Sequence, residues 1–299
     1  MKPKITIAIP AYNNATTIRA SIESAIAQEY PAKEILILDD GSKDNTIDIA
    51  ETYGNQVIIV NNERNMGIGY TLSECIRLCE TKYIIFLCAD DIFTDPNVVE
   101  DYVRQFDAQP EVGVIGRYCY YFMDGKEGAI GTCREKNIFL SSCCPSGMAF
   151  RKMKQIKIKA SNRIFIEMPS IVVQYLRNDW DWTMIEYDTV ACRFLPGVNT
   201  GTREEYYTES PWQNWVDLIG KDYRAFENFI MLKNRAPARV WGEICIAAES
   251  NIRNLLHPKF WFYSAVALLV PGSVLRSFTN FYRNRIARLS ARIIKRKES

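Results

Sequence analysis

The chain has 299 residues, of which 47% are hydrophobic and 24% charged, enough apolar material to bury the core of one large or two modest domains and too little polar bias for a disordered chain. The net charge of +2 is unevenly spread: residues 276–299 hold eight Lys or Arg against the single acid Glu298, a local +7 that leaves −5 on the rest. The single histidine, His257, excludes His-rich metal sites and makes a Ser-His-Asp triad unexpected, so acid–base work is expected to fall to carboxylates.

The opening "MKPKITIAIPAYNN" has an apolar run that stops at Pro10, too short for a signal-peptide core, and the expectation is a chain that is not exported. Nine cysteines without a CxxC pair indicate neither a disulfide framework nor a zinc ribbon, and a reducing cytosol is expected. Cys75 and Cys79, at helical i, i+4 spacing, read as small core residues.

In chain order, "KITIAIP" is a strand, "NATTIRASIESAIAQ" a helix, "EILILDD" a strand and "DNTIDIAETY" a helix with Asp44 as its N-cap. "QVIIVN", "GIGYTLSECIRLCE" and "YIIFLC" continue as strand, helix and strand. This alternation predicts an α/β fold with a mainly parallel sheet covered on both faces. Ligands in such sheets collect beyond the C-terminal strand ends, and all four ends here are polar: "PAYNN", "DDGSKDN", "NERNMG" and "ADD". "VGVIGRYCYYFMDGKEGAIGTCR" predicts a β-hairpin turning at Asp124-Gly125. "SSCCPSGMAFRK" predicts a loop of small residues ahead of a buried segment. "EMPSIVVQYLR" predicts a helix with Pro169 in its first turn, and "DWDWTMIEYDTVACRFLP" a turn plus strands. From Ser210 the pattern turns helical, with amphipathic stretches over 210–234 and 237–256.

Asp90 and Asp91 end the most apolar strand. Adjacent residues leaving a strand point to opposite sides, and paired carboxylates without a histidine or thiolate partner suit a hard cation, Mn²⁺ or Mg²⁺, with phosphate oxygens completing its shell. The bland reading of the pair is helix capping. Asp39 and Asp40 stand where acids can accept hydrogen bonds from a nucleoside. Neither a P-loop nor a complete GxGxxG is present, so diphosphate binding falls to the metal.

Together "IPAYNN", "ILDDGSKDNT", "NERNMG" and "FLCADD" resemble the GT-A family 2 glycosyltransferases over roughly residues 4–95, and more weakly to about 205. The resemblance implies a GT-A domain over 1–205 that transfers a sugar, with inversion, from a nucleotide donor, expected to be a UDP-sugar. It implies that Pro10, Ala11, Tyr12 and Asn13 from the first motif hold the donor together with Asp39, Asp40, Asn65, Gly67 and Asp90, and that Asp91 ligates the metal. Many relatives carry a further Asp where this chain has Cys88. The family's base stands at a helix head after an "fRk"-like segment, here Phe150-Arg151-Lys152, which favours Glu167, with Asp179 next and Asp181 third. "CCPSGMAF" would lie where acceptor meets donor, and Arg203 near the diphosphate.

The sequence divides the remainder into a helical extension over 206–256 and a membrane-associating tail over 257–299. Phe278, Phe281, Tyr282, Ile286, Leu289 and Ile293 recur at helical spacing beside Arg285, Arg288, Arg292 and Lys295, a basic amphipathic pattern suited to an anionic membrane surface. The alternative is an ordinary packing helix with a solvated basic face. The apolar run over 260–275 is short of a membrane span. A cytoplasmic enzyme, peripheral on the inner face of the cell membrane and serving a saccharide or lipid-linked saccharide acceptor in bacterial polysaccharide assembly, is the expectation. Nucleic acid is not an expected partner, since no aromatic-and-basic recognition motif accompanies the charge. The alternatives are a nucleotidyltransferase on a related sheet and a lapsed sugar-nucleotide binder.

Overall fold

The structure, a computed structural model, describes residues 4–133, 144–153, 158, 160, 161, 167–178 and 180–194. All of these belong to the first of two compact units into which the chain divides, Met1–Asn214. The helical extension, the basic tail, Arg203, Asp179 and His257 lie outside the described residues.

The elements follow the expected alternation: β1 (Ile5–Ala11), α1 (Ile18–Ile26), β2 (Lys33–Asp39), α2 (Thr46–Glu51), β3 (Ile58–Asn61), α3 (Ile68–Leu78) and β4 (Tyr83–Phe86). A two-residue β5 (Ile92–Phe93) comes next, followed by α4 (Val98–Ala108), β6 (Val112–Phe122), β7 (Gly131–Cys133), β8 (Ala149–Arg151), α5 (Glu167–Arg177) and β9 (Asp181–Arg193). The strands form one sheet in the order β3-β2-β1-β4-β8-β6-β9-β5, with β7 beside β6.

β1 is buried at all seven positions, as a strand flanked by neighbours and covered on both faces must be, and this is why "ITIAIPA" shows no apolar–polar alternation. Its partners β2 and β4 both run parallel to it. α1 turns Ile18, Ser21, Ile22 and Ala25 inward, and α3 turns Leu72, Cys75 and Ile76, so Cys75 is a core residue as expected. Burial pushes its thiol far above the ordinary range, which fits an inert packing role.

Beyond β4 the sheet is mixed. β8 is antiparallel to β4 and β6, β9 is parallel to β6, and β5 is antiparallel to β9. The hairpin at β6–β7 is present with Cys119 facing Cys133, but its loop spans 123–130, with the tight turn closed by the Lys126 N–H donating to the Met123 carbonyl at 3.1 Å. The expected cap of α2 is shifted: Asn45 holds the N-cap position, and Asp44 instead accepts from the N–H groups of Thr46 at 3.1 Å and Ala15 at 3.0 Å, tying two rim loops together.

This mixed half positions the site. Because β8 enters antiparallel beside β4, the residues just before it arrive at β4's C-terminal end, where the Gly147 N–H donates to the Phe86 carbonyl at 2.7 Å. Because β5 pairs antiparallel with β9, with Ile92 opposite Ala191, the C-terminal end of β9 reaches the same place. Three distant stretches of chain thus meet at Asp91. Among the described residues no helix is long and apolar enough to cross a membrane.

Candidate active site

Register places the predicted rim residues on one edge. Ala11 pairs with Asp39 and Ala8 with Phe86, so the ends of β2, β1 and the segment after β4 lie side by side. At the usual strand spacing, β2 and β4 stand about 10 Å apart. Asp39 is fully buried, and its carboxylate accepts from the Ser42 N–H at 2.7 Å and from the Ser42 hydroxyl. Pro10 and Ala11 are buried, while Tyr12 is 41% exposed over the edge. Asn13, with φ 54°, ties the first loop to the second: its N–H donates to Ser42 Oγ at 2.8 Å, and its Oδ1 accepts from the Lys43 N–H at 2.8 Å.

Asp40 is engaged by the "NERNMG" loop. Its carboxylate accepts from Asn62 Nδ2 at 2.8 Å, the Met66 N–H at 2.9 Å and the Gly67 N–H at 2.8 Å. Gly67, at φ 90°, also donates to Asn65 Oδ1 at 2.9 Å, and Asn65 itself is exposed. Asp40 therefore fixes the loop that carries two other predicted donor contacts. Gly41 permits the close approach: at φ 72°, a Cβ there would lie 2.7 Å from the Arg64 carbonyl carbon.

Asp91 is buried and held on both oxygens. Oδ2 accepts from the Ser146 hydroxyl at 2.5 Å and Oδ1 from the Arg193 N–H at 2.9 Å. Ser146 Oγ in turn accepts from the Cys88 N–H at 2.7 Å, and Ser21 Oγ donates to the Asp91 carbonyl at 2.6 Å. Burial pushes the Asp91 carboxyl well above its ordinary range, and the neighbouring Asp90 pushes the same way. Asp90 is half-buried, and the Arg193 Nε lies 3.4 Å from its carbonyl. Arg193 also pairs with Asp124 at 2.5 Å.

Donor atoms of Cys88, Asp90 and Asp91 lie within 4.8 Å of one another, a set with two hard carboxylates that fits Mn²⁺ or Mg²⁺. The absence of a cysteine partner expected from the sequence does not hold, since Cys88 is one of this set. Asp91, Cys144 and Cys192 form a second such set within 4.8 Å, with the two sulfurs 3.7 Å apart. Hydrogen bonds to Cys133 and Cys192 hold the Cys119 thiol far below its ordinary range, and the fully buried Arg117 guanidinium acts in the same direction. Arg117 donates from Nη2 to the Cys144 carbonyl at 3.2 Å. Ser146, Arg193, Cys144 and Cys192 were not singled out from sequence as individual residues. Only the small-residue loop "CCPSG" gave a signal, because the remaining contacts come from strand pairing more than a hundred residues away from Asp91.

Of the candidate bases, Glu167 is a buried residue and the first of α5, and the Ser170 hydroxyl donates to its carbonyl at 2.6 Å. It belongs to neither carboxylate–thiol set. Asp181 opens β9 at the end opposite Arg193, about 40 Å along an extended strand from the residue that clamps Asp91. The structure does not bring Asp181 to this rim.

The family model for glycosyl transferase family 2 matches residues 6–167, more than half of the chain. The chain belongs to this family. An uncharacterized glycosyltransferase of Rickettsia prowazekii is 35% identical over 128 residues, covering 43% of this chain and 40% of that protein. The chondroitin synthase of Escherichia coli is 39% identical over 106 residues, covering 35% of this chain and 15% of that one. The chain thus spans well under half the length of these relatives. Among solved structures, Staphylococcus aureus TarS residues 1–349 in complex with UDP-GlcNAc aligns with a TM-score of 0.57 at 15% identity, covering 83% of this chain and 71% of that one. At that identity the likeness establishes the GT-A fold, and with it the α/β class expected from the strand–helix alternation. Family 2 membership also places the predicted motifs, residues 10 to 91, inside the matched span.

Proposed function

We propose that this family 2 protein is an inverting glycosyltransferase that moves a sugar from a UDP-sugar to a hydroxyl acceptor. The observation that carries the reading is the convergence of Cys88, Asp90 and Asp91 donor atoms on the same sheet edge as the buried Asp39. The UDP-GlcNAc complex of TarS, a protein of the same fold, supports a uridine donor.

In this reading Ala11 and Tyr12 bracket the nucleoside with Asp39 at its edge, and Asp40 orders the loop carrying Asn65 and Gly67. Asp90 and Asp91 would hold Mn²⁺ or Mg²⁺. Such an ion, when bound, supplies positive charge against the diphosphate of the leaving nucleotide. Ser146 and the Arg193 N–H aim the Asp91 carboxylate and limit its motion. Glu167 takes the proton of the acceptor hydroxyl as that oxygen attacks the anomeric carbon from the face opposite the nucleotide. The acceptor in this reading is a saccharide or lipid-linked saccharide at the inner membrane face, reached through the basic tail. The named relatives, among them a chondroitin synthase, support the saccharide.

The test is incubation with a panel of UDP-sugars, Mn²⁺ and a membrane lipid extract, scoring the nucleotide released and the anomeric configuration of the product. UDP and an inverted anomer are expected, and Glu167→Gln should bind donor yet lose turnover. Release of sugar 1-phosphate would instead indicate nucleotidyl transfer, and donor binding without turnover a lapsed binder.

A further inference from the structure

Five of the described cysteines lie within a short stretch of the mixed half of the sheet. Cys119 hydrogen-bonds with Cys133 and Cys192, Cys192 lies 3.7 Å from Cys144, and Cys88 lies with Asp90 close to Asp91. The pair Cys144 and Cys192 differs from the rest because a carboxylate oxygen of Asp91 completes it, all three donor atoms lying within 4.8 Å.

Zinc–sulfur bonds of about 2.3 Å in a tetrahedral shell put neighbouring sulfurs about 3.8 Å apart. The observed 3.7 Å matches that edge. Two thiolates and a carboxylate around a divalent ion leave one negative charge, and the buried Arg117 guanidinium against Cys144 balances it. The placement is also built: Cys144 stands two residues before Ser146 and Cys192 one before Arg193, the two residues that clamp Asp91 from either side. A disulfide would use the two sulfurs and make no use of the carboxylate.

We propose that Asp91, Cys144 and Cys192 form a binding site for a thiophilic divalent cation of the Zn²⁺ class, its fourth position open to water. The hard-cation set Cys88–Asp90–Asp91 uses the same carboxylate. Zn²⁺ at the thiol side therefore withdraws Asp91 from Mn²⁺ and antagonises transfer, a consequence that rests on the glycosyltransferase reading.

The test uses the full-length protein, reduced and kept anaerobic, titrated with Co²⁺. A thiolate-to-cobalt charge-transfer band and tetrahedral d–d bands saturating at one equivalent are expected, displaced by Zn²⁺ and not by Mg²⁺. Cys144→Ser and Cys192→Ser should abolish the bands, while Cys75→Ala, on the buried face of α3, keeps them. Should either variant fail to fold, alkylation mapping of the unaltered protein decides instead: Zn²⁺ should protect Cys144 and Cys192 together. No thiolate band, a band indifferent to Cys192→Ser, or a Cys144–Cys192 disulfide in protein isolated without reductant would overturn the site. UDP release from a UDP-sugar, measured alongside, separates the two readings. Normal release without cobalt bands sinks the thiol site alone, whereas cobalt bands without release sink the transferase reading alone.

Discussion

Asp40 is the residue whose role the structure makes most open to measurement. Its carboxylate accepts three hydrogen bonds of 2.8, 2.9 and 2.8 Å from the loop that follows β3. Asparagine has the same shape but one acceptor oxygen, so Asp40→Asn can keep Asn62 and Met66 as neutral bonds while its amide confronts the Gly67 N–H donor to donor. Hydrogen bonds to a charged group contribute about 1.5–3 kcal/mol against about 0.5–1.5 for neutral ones. Two bonds weakened by about 1 kcal/mol each and one lost give about 3–5 kcal/mol. Two offsets reduce this: Gly67 keeps Asn65 Oδ1 as an acceptor at 2.9 Å, and an amide is cheaper to bury than a carboxylate. A net loss of about 2–3 kcal/mol remains. For a unit the size of Met1–Asn214 this lowers Tm by roughly 4–12 °C. Thermal unfolding of the apo protein is the assay, with Asn62→Ala and the double variant completing a cycle whose coupling should reach about 1 kcal/mol. An apo Tm within about 1 °C of the parent, together with weakened UDP binding, would refute the loop-anchoring role and give Asp40 to the nucleoside.

Asp91→Asn should abolish turnover and any Mn²⁺-dependent rise in Tm while leaving apo stability within about 1 kcal/mol, because the costly buried carboxylate is replaced by a neutral amide. Loss of activity with the Mn²⁺ shift intact would remove Asp91 from the metal. Since burial raises the Asp91 carboxyl, the folded apo protein keeps a proton that the unfolded chain releases above about pH 4. Its contribution to stability is therefore fully present below that pH and falls as pH rises towards the folded value. Stabilisation by Mn²⁺, which needs the carboxylate ionised, should grow over the same window, and calorimetry with and without Mn²⁺ showing no such divergence would count against it. Gly41→Ala should cost about 2–3 kcal/mol in denaturant unfolding, since a left-handed backbone conformation costs about 1–2 kcal/mol for alanine and the added Cβ meets backbone at 2.7–3.0 Å. An unchanged unfolding midpoint would show that the Arg64 loop moves freely.

The first half of the fold was legible because its signals are local. Buried parallel strands read as unbroken apolar runs, the helices between them carry apolar residues at helical spacing, and topology alone puts polar strand ends on one edge. The clamp on Asp91 was not legible. It depends on β8, three residues long, arriving antiparallel beside β4, and on β5, two residues long, pairing with the far end of β9. Strands that short carry no periodicity, so nothing in the sequence marks Ser146 or Arg193 as neighbours of a residue 55 or 102 positions away. The thiols were read as scattered for the same reason, because spacing along the chain is informative only when ligands share a turn or a helix.

Asp91 also shows why a carboxylate can sit at the mouth of an apolar strand at all. The energetic objection to burying it applies to a bare charge, and here each oxygen meets a donor fixed by the sheet, a hydroxyl on one side and a backbone N–H on the other. These two bonds favour the ionised form and do not fully offset burial, since the carboxyl stays above its ordinary range. The remaining deficit is what a cation bound there, as proposed, would recover. A site that paired Asp91 with an internal Lys or Arg would be more stable without metal and correspondingly poorer at holding one. The nearest cationic side chain from β9, that of Arg193, points instead to Asp124 and lends only its backbone N–H to Asp91.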